Sequence, residues 1–194
     1  MARFARRATL ALLALLPAAA LAADGWTLEE RSRITFTGFQ QGQPVEGEFR
    51  AFDAEITFDP DQPDQNRVEV VIDTASISTG HRDRDTTLRA RSWFHVDEWP
   101  TARFTSSTLV HHGGDAYEAE GELTIRDVTR AVVVPFALRV GDDPEDSGRL
   151  LAEASGELTI SRLDYGVGQG EWAALNQVGE EVIIRIDLAA SAPR

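Results

Sequence analysis

Apolar and polar residues alternate with a period of two through most of the chain, the pattern of half-buried β-strands. Ile34 and Phe36 stand between Arg33, Thr35 and Thr37, and Val45, Gly47 and Phe49 are interleaved with Glu46 and Glu48. The alternation continues through residues 54–58, 67–73, 102–110 and 116–125. In 131–140 it places Val132, Val134, Phe136, Leu138 and Val140 on one face; 150–160 and 181–190 close the series, with Val182, Ile184, Ile186 and Leu188 in line. Turn-forming clusters at 59–66, 111–115, 126–130 and 141–148 separate the runs. An all-β fold follows: an antiparallel sheet of about eight strands, closed into a barrel or folded into a sandwich, with one or two short helices.

Three local features refine the pattern. Pro135 interrupts a strand run and predicts an edge, a bulge or a barrel rim. Gly-Glu-Leu-Thr-Ile occurs at 121–125 and again at 156–160, which suits strands that bend at glycine and point Leu and Ile inward. The charged stretch 76–94 (SISTGHRDRDTTLRARSWF) holds the one predicted helix, with Asp85 capping a turn that starts at Thr86 and pairing with a nearby arginine. Its Leu88, Trp93 and Phe94 are expected to plug one end of the barrel, and its arginines also offer a pyrophosphate contact.

The first residues add a compartment. Arg3, Arg6 and Arg7 precede the apolar run Leu10–Leu16, and Ala20-Leu21-Ala22 forms a small-x-small cleavage site. Residues 1–22 therefore read as a cleaved signal peptide, since the apolar run is too short to span a bilayer. The rest, residues 23–194, suits one domain. The Arg6-Arg7 pair leaves open whether export is general secretory or twin-arginine. No cysteine is present, so the fold rests on its core without disulfides. The chain carries a formal charge of −13 and all of its 19 basic residues are arginine. Such an acidic surface repels nucleic-acid backbones and anionic lipid headgroups.

Candidate chemistry is sparse. The absence of cysteine excludes thiol catalysis and thiolate metal sites. His111 and His112 are adjacent in a Gly/Asp-rich turn and point to opposite faces, so they do not chelate one ion. His81 and His95 flank the charged stretch without a metal-binding spacing. The GVGQG segment (166–170) lacks the Lys-Ser/Thr of a phosphate loop and reads as a turn. What remains is apolar: Phe36, Phe39, Phe49, Phe94, Phe104 and Phe136 lie on or beside strands. A small barrel with these residues inside can pack solid or enclose a ligand, and the pattern admits both.

The order of motifs resembles the YceI-like family of periplasmic polyisoprenoid-binding proteins. The resemblance rests on Phe49-x-x-Phe52, Ile56-x-Phe58-Asp59-Pro60, Ile72-Asp73-x-x-Ser76-Ile77-x-Thr79-Gly80, Arg84-Asp85-x-x-Leu88-Arg89 and Trp93-Phe94. It continues through Trp99-Pro100-x-Ala102-x-Phe104-x-Ser106, Gly121-x-Leu123-Thr124-Ile125-x-x-Val128-Thr129-Arg130, Arg162-x-Asp164-Tyr165-Gly166 and Val178-Gly179-x-Glu181-Val182. It implies a lipocalin-like antiparallel β-barrel and a non-catalytic periplasmic carrier of a long isoprenoid chain, a polyprenyl or quinone tail. No cofactor beyond that lipid or quinone is implied, nor any metal.

With alternation setting the inward faces, the expected ligand wall is Ile34, Phe36, Phe49, Phe104, Phe136, Leu138, Ile184 and Ile186, with Trp93, Phe94 and Trp99 near the mouth. The chain departs from the family pattern around Gly38–Gln41 and at Thr87, where a histidine is usual, and at Asp127, where glycine is usual. Gly168–Trp172 resembles a subgroup found beside b561-type membrane cytochromes, which implies a transient contact with such a partner or with a membrane. A monomer or homodimer fits the single domain.

Overall fold

A computed structural model describes residues 25–59 and 65–194. The predicted signal peptide and most of the predicted turn at 59–66 lie outside the described residues. Eleven strands and one α-helix are present among them: β1 (Thr27–Leu28), β2 (Arg33–Gln40), β3 (Gln43–Phe49), β4 (Phe52–Thr57), β5 (Arg67–Asp73), β6 (Ile77–Ser78), α1 (Arg82–Arg89), β7 (Thr101–Gly113), β8 (Ala116–Ile125), β9 (Val128–Asp142), β10 (Arg149–Ser161) and β11 (Glu181–Pro193). All pairings are antiparallel, in the order β4-β5-β7-β8-β9-β10-β11-β2-β3-β6. The long runs fall where alternation predicts them. The count rises to eleven because β1 and β6 are two-residue strands, too short to leave a periodic signal.

These two short strands curl the sheet toward closure. β1 pairs with β11 and is flanked by a Trp26–Ile56 bridge to β4. At the other end β5 turns through Thr74–Ser76 into β6, which pairs with β3 at Glu48–Ser78 and Phe49–Ile77. Ladder hydrogen bonds are thereby supplied to strands that would otherwise be open edges.

The wall has one split. β9 and β10 pair only between Phe136–Asp142 and Leu150–Gly156; before Phe136, β9 stays with β8 while β10 runs on along β11. Pro135, which has no N–H to donate, sits at the point of divergence. A short 3₁₀ turn, Arg162–Tyr165, follows β10 there, and Arg130 Nε of β9 donates to Asp164 O at 3.0 Å. Tyr165 is driven inward and is 2% exposed. Val140, aligned in sequence with Val132–Leu138, is exposed instead, because β9 outruns the enclosed part of the barrel.

The repeated Gly-Glu-Leu-Thr-Ile marks close approach in both copies. A Cβ at Gly121 would stand 2.4 Å from Thr105 O, and one at Gly156 would stand 2.8 Å from Pro135 O. Leu123, Ile125, Leu158 and Ile160 then face one buried cluster.

Candidate ligand-binding site

The charged stretch forms a helix earlier than expected. α1 begins at Arg82 with His81 as its N-cap, so Asp85 lies one turn inside and does not cap Thr86. Its buried carboxylate reaches back and accepts hydrogen bonds from Thr79 N at 2.8 Å and Thr79 Oγ1 at 2.7 Å. Burial works to raise its pKa, but the two Thr79 bonds and the fields of Arg89 and Arg50 outweigh it and hold the carboxyl below its ordinary value. The predicted arginine partner acts only through that field. Arg89 itself ties the helix C-terminus to the β5–β6 turn, donating to Ala75 O and Ile77 O. Acidic residues in the first turn and Arg89 in the last suit the helix dipole.

Held in this way, α1 covers one end of the barrel, with one cavity beneath it and a second adjoining that one in the interior. The outer encloses about 380 Å³ and the inner about 160 Å³; Ile34, Ile72, Leu123 and Ile184 line both. Ligand pockets run from about 300 to 1,000 Å³, so the outer cavity is of binding size. The inner one, walled by Phe104, Leu109, Val134, Phe136, Leu158 and Ile186 among others, is close to the volume of an apolar cavity that stays dry and takes one benzene ring, about 150 Å³.

Of the residues expected on the wall, Ile34, Phe36, Phe49, Trp93, Phe94 and Ile184 line the outer cavity. Phe104, Phe136, Leu138 and Ile186 line the inner one, with Ile34 and Ile184 shared. Phe36, Phe49 and Phe94 form a chain of rings, 5.6 and 5.8 Å between centroids. Trp99 stands apart: its ring meets His95 at 5.1 Å, and the Arg126 guanidinium covers it at 4.4 Å. It supports the loop carrying Trp93 and does not line the mouth. The polar rim comes from Gln40, Thr79, His81, Asp83, Arg84 and Thr87. Gln40 and Thr87 occupy the regions where the chain departs from the family's histidines.

Two arginines that strand periodicity cannot reveal hold the cap together. Arg162 is 3% exposed, and its guanidinium spends every N–H on backbone carbonyls. Nε donates to Gly179 O, Nη1 to Val167 O and Gly168 O, and Nη2 to Trp172 O and Val178 O, at 2.6–3.0 Å. Burial lowers its pKa, opposed by Glu180, yet an arginine keeps its charge. Gly168, at φ +79°, has no room for a side chain, since a Cβ would stand 2.2 Å from Arg162 Nη1. The GVGQG segment is thus a turn wrapped on an arginine. Arg126, in the two-residue β8–β9 turn, folds inward and donates to Trp93 O at 2.6 Å and Gly166 O at 2.7 Å. Together they position Trp93, Tyr165, Val167, Trp172 and Val178 on the cavity wall.

The remaining histidines lie away from the cavity. β7 extends through Gly113, so His111 and His112 end a strand instead of forming the turn; His111 stacks on Tyr117 at 4.4 Å, and His112 pairs with Glu118 at 3.1 Å.

A curled antiparallel barrel around an apolar interior defines a lipocalin-like protein. The YceI-like domain family model matches residues 26–190, and the chain belongs to that family. It is 32% identical to protein YceI of Salmonella newport over 184 residues, 92% of this chain and 93% of that protein. A UPF0312 protein of Photorhabdus laumondii is 37% identical over 125 residues, 64% of this chain, and the match spans 65% of that protein. Among solved structures, BcnA of Burkholderia cenocepacia is similar with a TM-score of 0.72 at 31% identity, covering 82% of this chain and 96% of that one. A polyisoprenoid-binding domain from Saccharophagus degradans shares the fold, with a TM-score of 0.65 at 18% identity over 87% of this chain and 98% of that one.

Proposed function

We propose that this chain is a non-catalytic binding protein that shelters an isoprenoid lipid chain in the paired cavities and carries it through the periplasm. The observation that carries the reading is the inner cavity: a space of about 160 Å³ walled by apolar side chains and adjoining the outer one at Ile34, Ile72, Leu123 and Ile184. Hydrocarbon buried there gains about 25 cal/mol per Å², so a chain burying some 300 Å² gains roughly 7.5 kcal/mol before the costs of binding. No charged contact is needed for that affinity. Scaled from one ring in about 150 Å³, the two cavities hold about three or four isoprene-sized groups; a longer chain extends through the mouth beside α1.

Family membership, the structural neighbour named for polyisoprenoid binding and the signal-peptide-like residues 1–22 support the same reading. Its test is a titration of lipid-free protein with a three-unit prenyl alcohol, followed by tryptophan fluorescence. Saturable binding near one per chain is expected. No binding, with the protein folded, would overturn the proposal.

A further inference from the structure

The outer cavity opens between two sides of different chemistry. One is a lip built from two runs, residues 38–45 and 172–179, neither of which holds a charged side chain. The runs are joined: Gln41 N donates to Gln177 O and Gly179 N to Phe39 O, both at 2.8 Å, and Gln40 bridges Val178. Residues 41–44 and 173–177 are exposed. In the middle of the second run Leu175 is 53% exposed, more than any other large apolar side chain among the described residues. Glu46, Glu171 and Glu180 mark the limits of the lip.

The other side is α1. Residues 81–91 hold four arginines against two aspartates. Asp85 is buried against Thr79, and Arg89 is committed to Ala75 O and Ile77 O. Arg82, Arg84 and Arg91 are left, and among the described residues none of them pairs with a carboxylate. Phe39, Gln40 and Val178 of the lip and Asp83, Arg84 and Thr87 of α1 line the same cavity, so the two sides frame one opening.

What meets this face follows from the cargo. A hydrocarbon chain released into water forfeits the gain that holds it in the cavity, whereas one handed straight to a lipid phase keeps it. An uncharged lip enters a headgroup layer without stripping water from a charge. An exposed leucine gains by burial there, and arginine forks match phosphate oxygens. The chain as a whole carries a formal charge of −13, so an anionic surface repels the rest of the molecule and turns the mouth toward itself.

We propose that the lip and α1 together dock on an anionic lipid bilayer. Leu175 enters the headgroup layer, Arg82, Arg84 and Arg91 contact phosphates, and the prenyl chain passes between membrane and cavity without crossing water. This rests on the isoprenoid reading and adds the surface through which the lipid is exchanged.

The test follows extraction of a long-chain polyprenol by the lipid-free mature chain from vesicles of phosphatidylethanolamine and phosphatidylglycerol. The rate should rise with protein concentration, as collision requires. Leu175→Ser should slow it several-fold, and Arg82→Glu combined with Arg91→Glu about tenfold. None of these residues lines the cavity, so affinity for a three-unit prenyl alcohol in solution should change less than about twofold. Val133→Ser, at an exposed valine of β9, should leave the rate unchanged. In the wild type, a spin label on the vesicle headgroups should broaden the amide resonances of 41–43 and 173–177 and spare those of Val133 and Val140, a readout that needs no variant to fold. A rate independent of protein concentration, variants that extract as fast as the wild type, or broadening centred elsewhere overturns the inference. Extraction only from vesicles that carry membrane proteins overturns it in favour of a protein partner. All of these outcomes leave the isoprenoid reading standing; failure of the wild type to bind the three-unit alcohol in solution strikes that reading itself.

Discussion

The ring of Phe36 lies across Gly47, its register partner on the next strand, so closely that a Cβ at 47 would stand 2.3 Å from Phe36 Cζ. The contact sets the outer cavity's shape, because Phe36 lines it and packs on Phe49. At Gly121 and Gly156 the opposing atoms are backbone carbonyls. A ring tip can swing aside and a strand cannot. Gly47→Ala should therefore cost less than about 1.5 kcal/mol of stability but weaken lipid binding roughly tenfold, while Gly121→Ala should cost about 1–3 kcal/mol. Urea unfolding beside a lipid titration separates the two.

Arg162 ties the cap to its apolar cluster: a single side chain gathers five backbone carbonyls from residues 167–179. Lysine offers three donors and no planar fork. Arg162→Lys should lose about 2–4 kcal/mol, and backbone hydrogen exchange over 166–179 should accelerate ahead of that in β7 and β8.

The strands were legible because each has one face on the core, and a half-buried strand writes its period into the sequence. Ile34, Phe36, Ile184 and Ile186 could be placed inward on that ground alone. The cap was not legible by the same means. Arg162, Arg126 and Tyr165 act through backbone carbonyls and a local split between β9 and β10, neither of which leaves a periodic trace. Arg162 does stand in the quoted Arg-x-Asp-Tyr-Gly run, which by itself carries no sign of burial. Trp99 was misplaced for a related reason: a tryptophan beside a cavity lip and one stacked under an arginine look alike in sequence. Asp85 reads as a cap because its short side chain can accept from a backbone N–H; the N–H it accepts from is that of Thr79, before the helix.

Asp85 makes a pH prediction. Its folded pKa lies below the ordinary value, so its contribution is complete above the unfolded pKa of about 3.9 and is lost as pH falls through the lower folded value. Asp85→Asn should be less stable than the wild type by about 1 kcal/mol at neutral pH. The gap should close below that folded value, as seen in urea midpoints taken from pH 6 downward.

The inner cavity makes the opposite kind of prediction. Ala119 is buried on its wall, among Leu109 and Val134. Ala119→Leu should fill part of the 160 Å³ space. It should raise lipid-free stability by about 0.5–2 kcal/mol and reduce affinity for two- and three-unit prenyl chains. Thermal unfolding with and without lipid reads both effects from one sample.

The central claim is that the barrel is built around a lipid. Mass spectrometry of an organic extract from protein purified gently from its native host tests it most directly. An isoprenoid species near one per chain is expected, and clearly less of it in an extract of Ala119→Leu prepared identically. Repeated recovery of folded wild-type protein with no isoprenoid, or with the same lipid in equal amount on the filled variant, would contradict it.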